Sequence, residues 1–410
     1  MFGDDRLEGL EYLPEPTDSR ILSAVDSTVV DHDTEWRSAV MGYSPDVVRP
    51  VSKIRRKITP LGSIITICFI GLIFVLAYRM DLLLVQLPPP TSEWAFESTG
   101  IRDFQDEGYS GEGVRICMVD TGVSLEHESL EDMDVVWRDF VSDSTEPTDY
   151  GATPHGTMMV GILASNYHQL GVSPNATIGM AASLSSNEDG DNVGDSRLVA
   201  EAIDWCREDF QANIISLSLG GKEDFTTREG ATVSAVRQAI DSGIFVVSAA
   251  GNDGGGDDDG DVASPAHLDD VITVGALTKD ELKWENSSIG SLQDSNGELR
   301  QWPNQKPEVS APGYQIVSTG DNNDWYVSSG TSDATVFVSG ALALVIEANP
   351  VLLENRNSAD IDCLSDLKMS LANSSRSLGG GEHDQFTGYG ILDVGAWSTE
   401  FRLTQTCFVP

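Results

Sequence analysis

Apolar residues fall into two patterns along this chain. One is a single unbroken run, and the other is a series of short runs separated by stretches of helical period. The unbroken run is Ile58 to Tyr78, ITPLGSIITICFIGLIFVLAY, without a formal charge. About 20 such residues span a bilayer as a helix. Residues 1–57 precede it and no small-residue cleavage site follows it at once, so it reads as an anchor rather than a signal peptide. Lys53, Arg55, Arg56 and Lys57 stand before it, whereas only Arg79 and Asp81 flank its end. The positive-inside rule then predicts a single-pass protein of the cell membrane, with residues 1–52 cytoplasmic and the chain beyond residue 88 extracytoplasmic.

The short runs begin after Trp94. Val114–Val119 (VRICMV), Asn213–Leu219 (NIISLSL), Ile244–Ala249 (IFVVSA) and Val271–Val274 (VITV) read as buried strands. Between them Val199, Ala202, Ile203 and Cys206 recur at helical spacing, as do Val233, Val236, Ala239 and Ile240, with Gly243 as a C-terminal cap. Ala334 to Ala348 reads as one long buried helix. Alternating strands and helices predict an α/β domain with a mostly parallel sheet covered on both faces. The expected organisation is a largely disordered cytoplasmic tail with a basic juxtamembrane cluster over 1–57 and a transmembrane helix over 58–78. A spacer with Pro88-Pro89-Pro90 follows over 79–91, then the α/β domain over 92–398 and a carboxyl-terminal extension over 399–410.

Charge narrows the function classes. The 410 residues carry 25 Lys and Arg against 65 Asp and Glu, a formal net charge of −40. Phosphate recognition needs cationic patches, so nucleic acid is excluded as a partner. The acidity covers the predicted folded part, and Lys is scarce there. Such a surface resembles proteins that work in concentrated salt, where self-repulsion is screened. Five cysteines without a CxxC pair suggest neither a disulfide scaffold nor a zinc site.

Ligands of parallel sheets bind beyond the carboxyl ends of the strands, which directs attention to the polar residues there. Asp120 ends the first run in VDTGV. His155 stands in PHGTMMVGILA, where Gly156 permits close backbone approach to what packs on it. Asn252 follows the third run in SAAGNDGGG, placed either to donate from its side chain or to form a turn. Ser332 lies at the start of the long helix, where unpaired N–H groups favour negative charge. A lone DTG also suits an aspartic protease, but that needs a second DTG or DSG and there is none. Together Asp120, His155, Asn252 and Ser332 supply an orienting carboxylate, a general base, an oxyanion donor and a nucleophile.

VDTGV, HGT, SLGG (Ser218 to Gly221), AAGN, KPEVSAPG (Lys306 to Gly313) and GTS-x-AT, in this order, resemble the subtilisin-like serine proteases (subtilases) over residues 92–398. The resemblance implies a three-layer α/β fold and an endopeptidase acting on polypeptides without a cofactor for its chemistry. It implies that Asp120, His155 and Ser332 form a triad with Asn252 as oxyanion donor. It also implies that Ser218, Leu219 and Gly220 pair with the substrate backbone, near Ala250, Gly251 and Asp253. From its place after AAGN, Asp253 is expected to favour Lys or Arg before the cleaved bond. Alternatives are a catalytically silent surface-binding protein on this fold, or a processing protease for one partner. The pattern specifies no oligomeric state.

The chain departs from the family in places. Met158 follows HGT where a histidine is usual, and Val336-Phe337 replace Pro-His in the long helix. Asp333 replaces the usual Met after the serine; it either opposes oxyanion formation or turns to solvent near the positive helix end. Secreted members often carry a folded prodomain, and here a short Pro-rich spacer stands before the domain. The loop DGGGDDDGD reads either as a structural calcium site, with Asp257, Asp258, Asp259 and Asp261 as ligands, or as a solvated acidic loop. Cys363 and Cys407 stand outside the membrane segment and could pair, a pairing the sequence leaves open, while Cys117 and Cys206 are expected to be packed thiols.

Overall fold

The computed structural model describes residues 60–79, 90–221, 230–256, 258–294, 296–354, 361–378 and 383–405. The chain divides into two compact units, Met1–Leu87 and Pro88–Pro410. In the first, the apolar run forms helix α1, Pro60–Arg79, whose large apolar side chains from Ile64 to Leu76 are exposed. The expected cytoplasmic tail lies outside the described residues. Among the described residues, the helix both long and apolar enough to cross a membrane is Thr331–Ala348, and it is buried inside the second unit.

The second unit is built on seven strands in one parallel sheet. In chain order they are β1 (Arg115–Asp120), β2 (Val135–Asp139), β3 (Thr177–Ala182), β6 (Ile214–Leu217), β7 (Phe245–Ala249), β8 (Ile272–Leu277) and β9 (Val309–Pro312). Two short strands, β4 (Ser185–Ser186) and β5 (Asn192–Val193), pair separately. The sheet order is β2-β3-β1-β6-β7-β8-β9, with every neighbouring pair parallel. Chain order turns outward in opposite directions from β1 and β6, so a crevice opens beyond their carboxyl ends. The central strands are buried on both faces, which is why their sequences read as continuous apolar runs.

Helices cover the two faces. The first three of the second unit's main layer are α4 (His155–Ala164), α5 (Ser196–Glu208) and α6 (Ala231–Asp241), after two short amino-terminal helices α2 (Glu93–Ser98) and α3 (Ile101–Asp106). Gly243, at φ +79, closes the carboxyl end of α6 as its position implied. The long buried run forms α7, Thr331–Ala348, in which Thr331 to Ile346 are all buried. It packs on β1, β6, β7, β8 and β9 from one side. A hairpin of β10 (Tyr314–Thr319) and β11 (Trp325–Ser329) leads into it. Three further helices follow, α8 (Val351–Glu354), α9 (Ile361–Ser374) and α10 (Val394–Thr404).

Two features hold the unit together in ways the sequence did not announce. Cys117 of β1 and Cys206 of α5 form a disulfide, with their Cα atoms 5.7 Å apart, so they are not packed thiols. The strand and helix bring two sulfurs together across 89 residues, a separation that no local pattern reveals. Cys407, with which Cys363 could pair, lies outside the described residues. Second, Lys306 and Lys368 are both buried and share one carboxylate: their Nζ atoms lie 2.8 and 2.7 Å from Glu308 Oε1. Lys306 also donates to Val271 O and Thr273 Oγ1, and Thr273 N donates to Glu308 Oε2. Burial drives the Lys306 ammonium down to about 7, further lowered by Lys368, with Glu308 opposing.

Candidate active site

Asp120 ends β1 with its side chain 1 % exposed, and Oδ1 accepts the N–H of Thr121 at 2.7 Å. The chain then turns through Gly122, at φ +113, where a Cβ would lie 1.9 Å from Thr148 O. Gly156 packs against that turn: a Cβ there would lie 2.0 Å from Gly122 O. These two glycines let the first turn of α4 rest directly on the end of β1. His155, the first residue of α4, thereby reaches Asp120, with Nδ1 2.7 Å from Oδ1. A carboxylate can only accept, so the Nδ1 position carries the proton and Nε2 is left as the basic atom of the neutral ring.

The start of α4 has no side-chain cap from its own Pro154. Its free N–H groups are satisfied from elsewhere. Gly156 N donates to Thr121 Oγ1 at 2.9 Å, and Thr157 N donates to Asp149 Oδ2 at 2.9 Å. Thr157 and Thr121 both donate their hydroxyls to Asp149, each at 2.7 Å. Asp149 thus anchors both walls of the histidine's cradle. Sequence reading missed it, because it sits in an irregular loop with no periodicity or motif.

Burial of the His155 ring disfavours its cation, but the carboxylate of Asp120 outweighs this by charge and hydrogen bond. Asp333 and Asp149 add to it, and the ring is held up at about 9. Three carboxylates therefore act on one imidazole. His127, by contrast, is buried, accepts from Ser129 N through Nδ1 and stands edge-on to Trp325, a structural role.

Ser332 lies in the first turn of α7. Its Oγ donates to Ser218 O at 3.1 Å, and Ser218 Oγ donates back to Ser332 O at 3.2 Å. Asn252 is locked by its carbonyl, since Oδ1 accepts both Thr331 N and Thr331 Oγ1 at 2.9 Å. This leaves the Asn252 amide as a donor. Gly330 is where the donors meet: the position a Cβ would take there is 3.5 Å from both Asn252 Nδ2 and Ser332 N. Glycine keeps that space empty of side chain, and two N–H donors line it.

Asp333 lines the same space. Its Oδ2 is 3.4 Å from that position, and Oδ1 accepts the hydroxyl of Ser328 from β11. The side chain is 1 % exposed, so of the two readings of Asp333 the turn to solvent does not occur. Burial drives its carboxyl up to about 7, against the hydrogen bond from Ser328 and the charge of His155.

The residues expected to meet substrate divide into two groups. Leu219 and Gly220 form no backbone hydrogen bond among the described residues, so this short strip is open for pairing. Ser218 O already receives Ser332 Oγ, and the Ala250 and Gly251 backbones are engaged with Val274, Ala263, Ser288 and Thr331. Asp253 is half-buried and accepts the hydroxyl of Ser288.

The acidic loop does not form a calcium cage among the described residues. Among them no group of three or more acidic, histidine or cysteine side chains is arranged to hold a metal ion. Asp258 accepts Gly260 N and Ile289 N, and Asp261 accepts Val262 N and Ser291 N and faces Arg300 at 3.5 Å. Asp259 Oδ1 lies 3.4 Å from Asp261 N. Asp257 lies outside the described residues. Carboxylates turned to backbone amides and a guanidinium do not suit a hard cation that needs six or more oxygens.

A profile of the subtilase family matches residues 111–390. Subtilisin DY of Bacillus licheniformis is 33% identical over 269 residues, covering 64% of this chain and 88% of that protein. An intracellular serine protease of Paenibacillus polymyxa is 33% identical over 243 residues, covering 57% of this chain and 67% of the relative. Serine protease AprX of Bacillus subtilis (strain 168) is 31% identical over 271 residues, 59% of each chain. For several other Bacillus relatives, subtilisin E among them, the match spans 58% of their length.

Proposed function

The chain belongs to the subtilase family of serine endopeptidases, and from that premise we propose a membrane-tethered, extracytoplasmic peptidase that uses Asp120, His155 and Ser332 as its triad. Ser332 Oγ attacks the scissile carbonyl, and His155 Nε2 takes its proton and later gives it to the leaving amine. Asp120 holds the ring in the tautomer this needs. Asn252 Nδ2 and Ser332 N receive the developing oxyanion; losing one such donor typically raises the barrier by about 2.7–4 kcal/mol, a value established within this family. The open backbone of Leu219 and Gly220 takes the substrate as an added strand, which gives affinity with little sequence preference. No cofactor enters the chemistry.

The observation that carries this reading is the meeting of Asn252 Nδ2 and Ser332 N at the side-chain-free position of Gly330. Structural roles for His155 and Ser332 would not require two donor nitrogens to border one side-chain-free space. Two observations support an outside location. Helix α1, whose one charged residue is its last, Arg79, follows a basic cluster and exposes its apolar side chains, and the Cys117–Cys206 disulfide suits an oxidising compartment. The net charge of −40 suits a saline medium.

Labelling by a fluorophosphonate probe tests the enzyme reading, comparing wild type with Ser332→Ala in low and high salt. Labelling of the wild type alone is expected; equal labelling of both would remove it. Alkaline carbonate washing of membranes tests the anchor: the chain should stay with the bilayer, and a variant starting at residue 88 should not.

A further inference from the structure

We propose that Asp333, in its neutral form, is a third hydrogen-bond donor to the oxyanion, so that the enzyme works with a carboxylic acid where a carboxylate would oppose it. The inference rests on the triad reading above and concerns the one acidic group that shares its oxyanion space.

The geometry assigns the two oxygens of Asp333 different tasks. Oδ1 is taken by the Ser328 hydroxyl, which donates to it. Oδ2 is left at 3.4 Å from the position where Asn252 Nδ2 and Ser332 N converge at 3.5 Å. An oxygen entering that space meets Oδ2 at close range. With a proton on Oδ2 the contact is a donated hydrogen bond; without it, two negative oxygens face each other. Buried and 1 % exposed, the group has no water to soften that contrast. The site therefore demands the acid form, and burial raises the carboxyl toward about 7, which makes that form accessible near neutral pH. A carboxylic acid kept neutral by an apolar site is a known way to donate to an enolate oxygen in an unrelated enzyme.

The covalent step balances without consuming this proton. The Ser332 Oγ–carbon bond forms, the carbonyl π pair moves to oxygen, and the Ser332 proton goes to His155 Nε2. Collapse breaks the carbon–nitrogen bond, and the amine leaves with the proton from Nε2. Asp333 keeps its own proton and lends only the hydrogen bond.

The groups facing Asp333 are the imidazole of His155 from α4, the Ser328 hydroxyl from β11, its own backbone N–H and the neutral Asn252 amide after β7; the first three favour the carboxylate and burial outweighs them. Asp120 and Asp149 reach it only through the imidazole. Asp333 and His155 therefore share protons as a pair. The active arrangement is neutral histidine with neutral Asp333, which carries one proton in all. It disappears when the pair gains a second proton or loses its last one. The rate profile is thus a bell, with limbs near 7 and 9 belonging to the pair.

The test uses the detergent-solubilised full chain with fluorescein-labelled casein at low concentration, from about pH 5 to 11. Wild type should give the bell. Asp333→Asn should rise with histidine deprotonation below about 9, show no alkaline fall, and reach a plateau no lower than the wild-type maximum, since its amide always donates. Asp333→Ala should also lack the alkaline fall, with a plateau about tenfold to a hundredfold below Asp333→Asn. An alkaline fall that survives in Asp333→Asn, or equal plateaus for the two variants, would overturn the proposal. Thermal melts check that each variant is folded. If neither folds, the wild-type profile decides: absence of an alkaline fall refutes the proposal. Wild type no faster than Ser332→Ala would instead defeat the triad reading.

Discussion

Asp149 Oδ2 accepts both the backbone N–H and the hydroxyl of Thr157, at 2.9 and 2.7 Å, two residues along the helix that begins at His155. This carboxylate does for the histidine helix what an N-cap residue does elsewhere, but from a loop that joins it only in three dimensions. Asp149→Ala leaves the Thr157 N–H and two hydroxyls without their acceptor, which should destabilise the domain by about 1–3 kcal/mol. A loosened helix start should lower kcat more than it raises KM. Because Asp149 also helps to hold the imidazole up, Asp149→Asn should move the limb near 9 to lower pH. An unmoved limb with normal kcat would show that Asp149 serves stability alone.

The Cys117–Cys206 bond closes a loop of 89 residues between a central strand and the helix packed over it. Replacing both cysteines by alanine should lower stability by about 2–4 kcal/mol, read from urea unfolding of the domain. Equal midpoints for the variant and the wild type would show that the strand and helix are held by packing alone.

Lys306 makes stability depend on pH in a direction opposite to the usual buried ion pair. Its folded value is about 7 against an ordinary 10.5, so between those values the unfolded chain holds a proton that the folded chain has lost. Stability from this group therefore rises with pH across that window. His155 works the other way up to about 9, and the Tyr389 hydroxyl, pushed up by burial from 10.0, works the other way above about 10, so the Lys306 contribution is read between 9 and 10 as the difference between wild type and Lys306→Met. Denaturant midpoints there should climb in the wild type and flatten in Lys306→Met. Glu308→Gln should be far more damaging, by about 3–5 kcal/mol, since the buried amino groups of Lys306 and Lys368 lose the carboxylate they share.

Asp253 stands directly after the oxyanion asparagine and is only half-buried. Profiling with a peptide library is expected to show Lys or Arg preceding the cut, and Asp253→Asn should weaken that preference about tenfold or more, as loss of a charge-assisted contact does. An aromatic preference that the substitution leaves alone would dismiss the assignment, and the bond from Ser288 would then be its whole role.

Legibility in the sequence followed physical locality. β1, β6, β7 and β8 were readable because strands buried on both faces are uniformly apolar. β2 was not, since it lies at the sheet edge and alternates half-buried with exposed positions before its buried last residue. β3 was not, since its Thr-Ile-Gly-Met-Ala-Ala carries mostly small side chains; Gly179 there makes room for the ring of Phe210. Asp120, His155, Asn252 and Ser332 were readable because each stands at the end of a strand or the start of a helix. The Cys117–Cys206 pair acts across 89 residues, and Asp149 sits in an irregular loop where no periodicity marks it.

Asp333 shows a different limit. A charge in the first turn of a helix ordinarily reads as a surface group, because most helices begin in water. α7 begins inside the protein, so the same rule fails.

That interior helix has a mechanical consequence. Ser332 rides on an element that touches five strands of the sheet and cannot be shifted without disturbing them all. A lid or a hinge can loosen while the rest of a protein stays whole, but this serine has no such freedom. Heat inactivation should therefore coincide with collapse of the entire domain, with no earlier, milder stage in which the fold survives and the serine is lost.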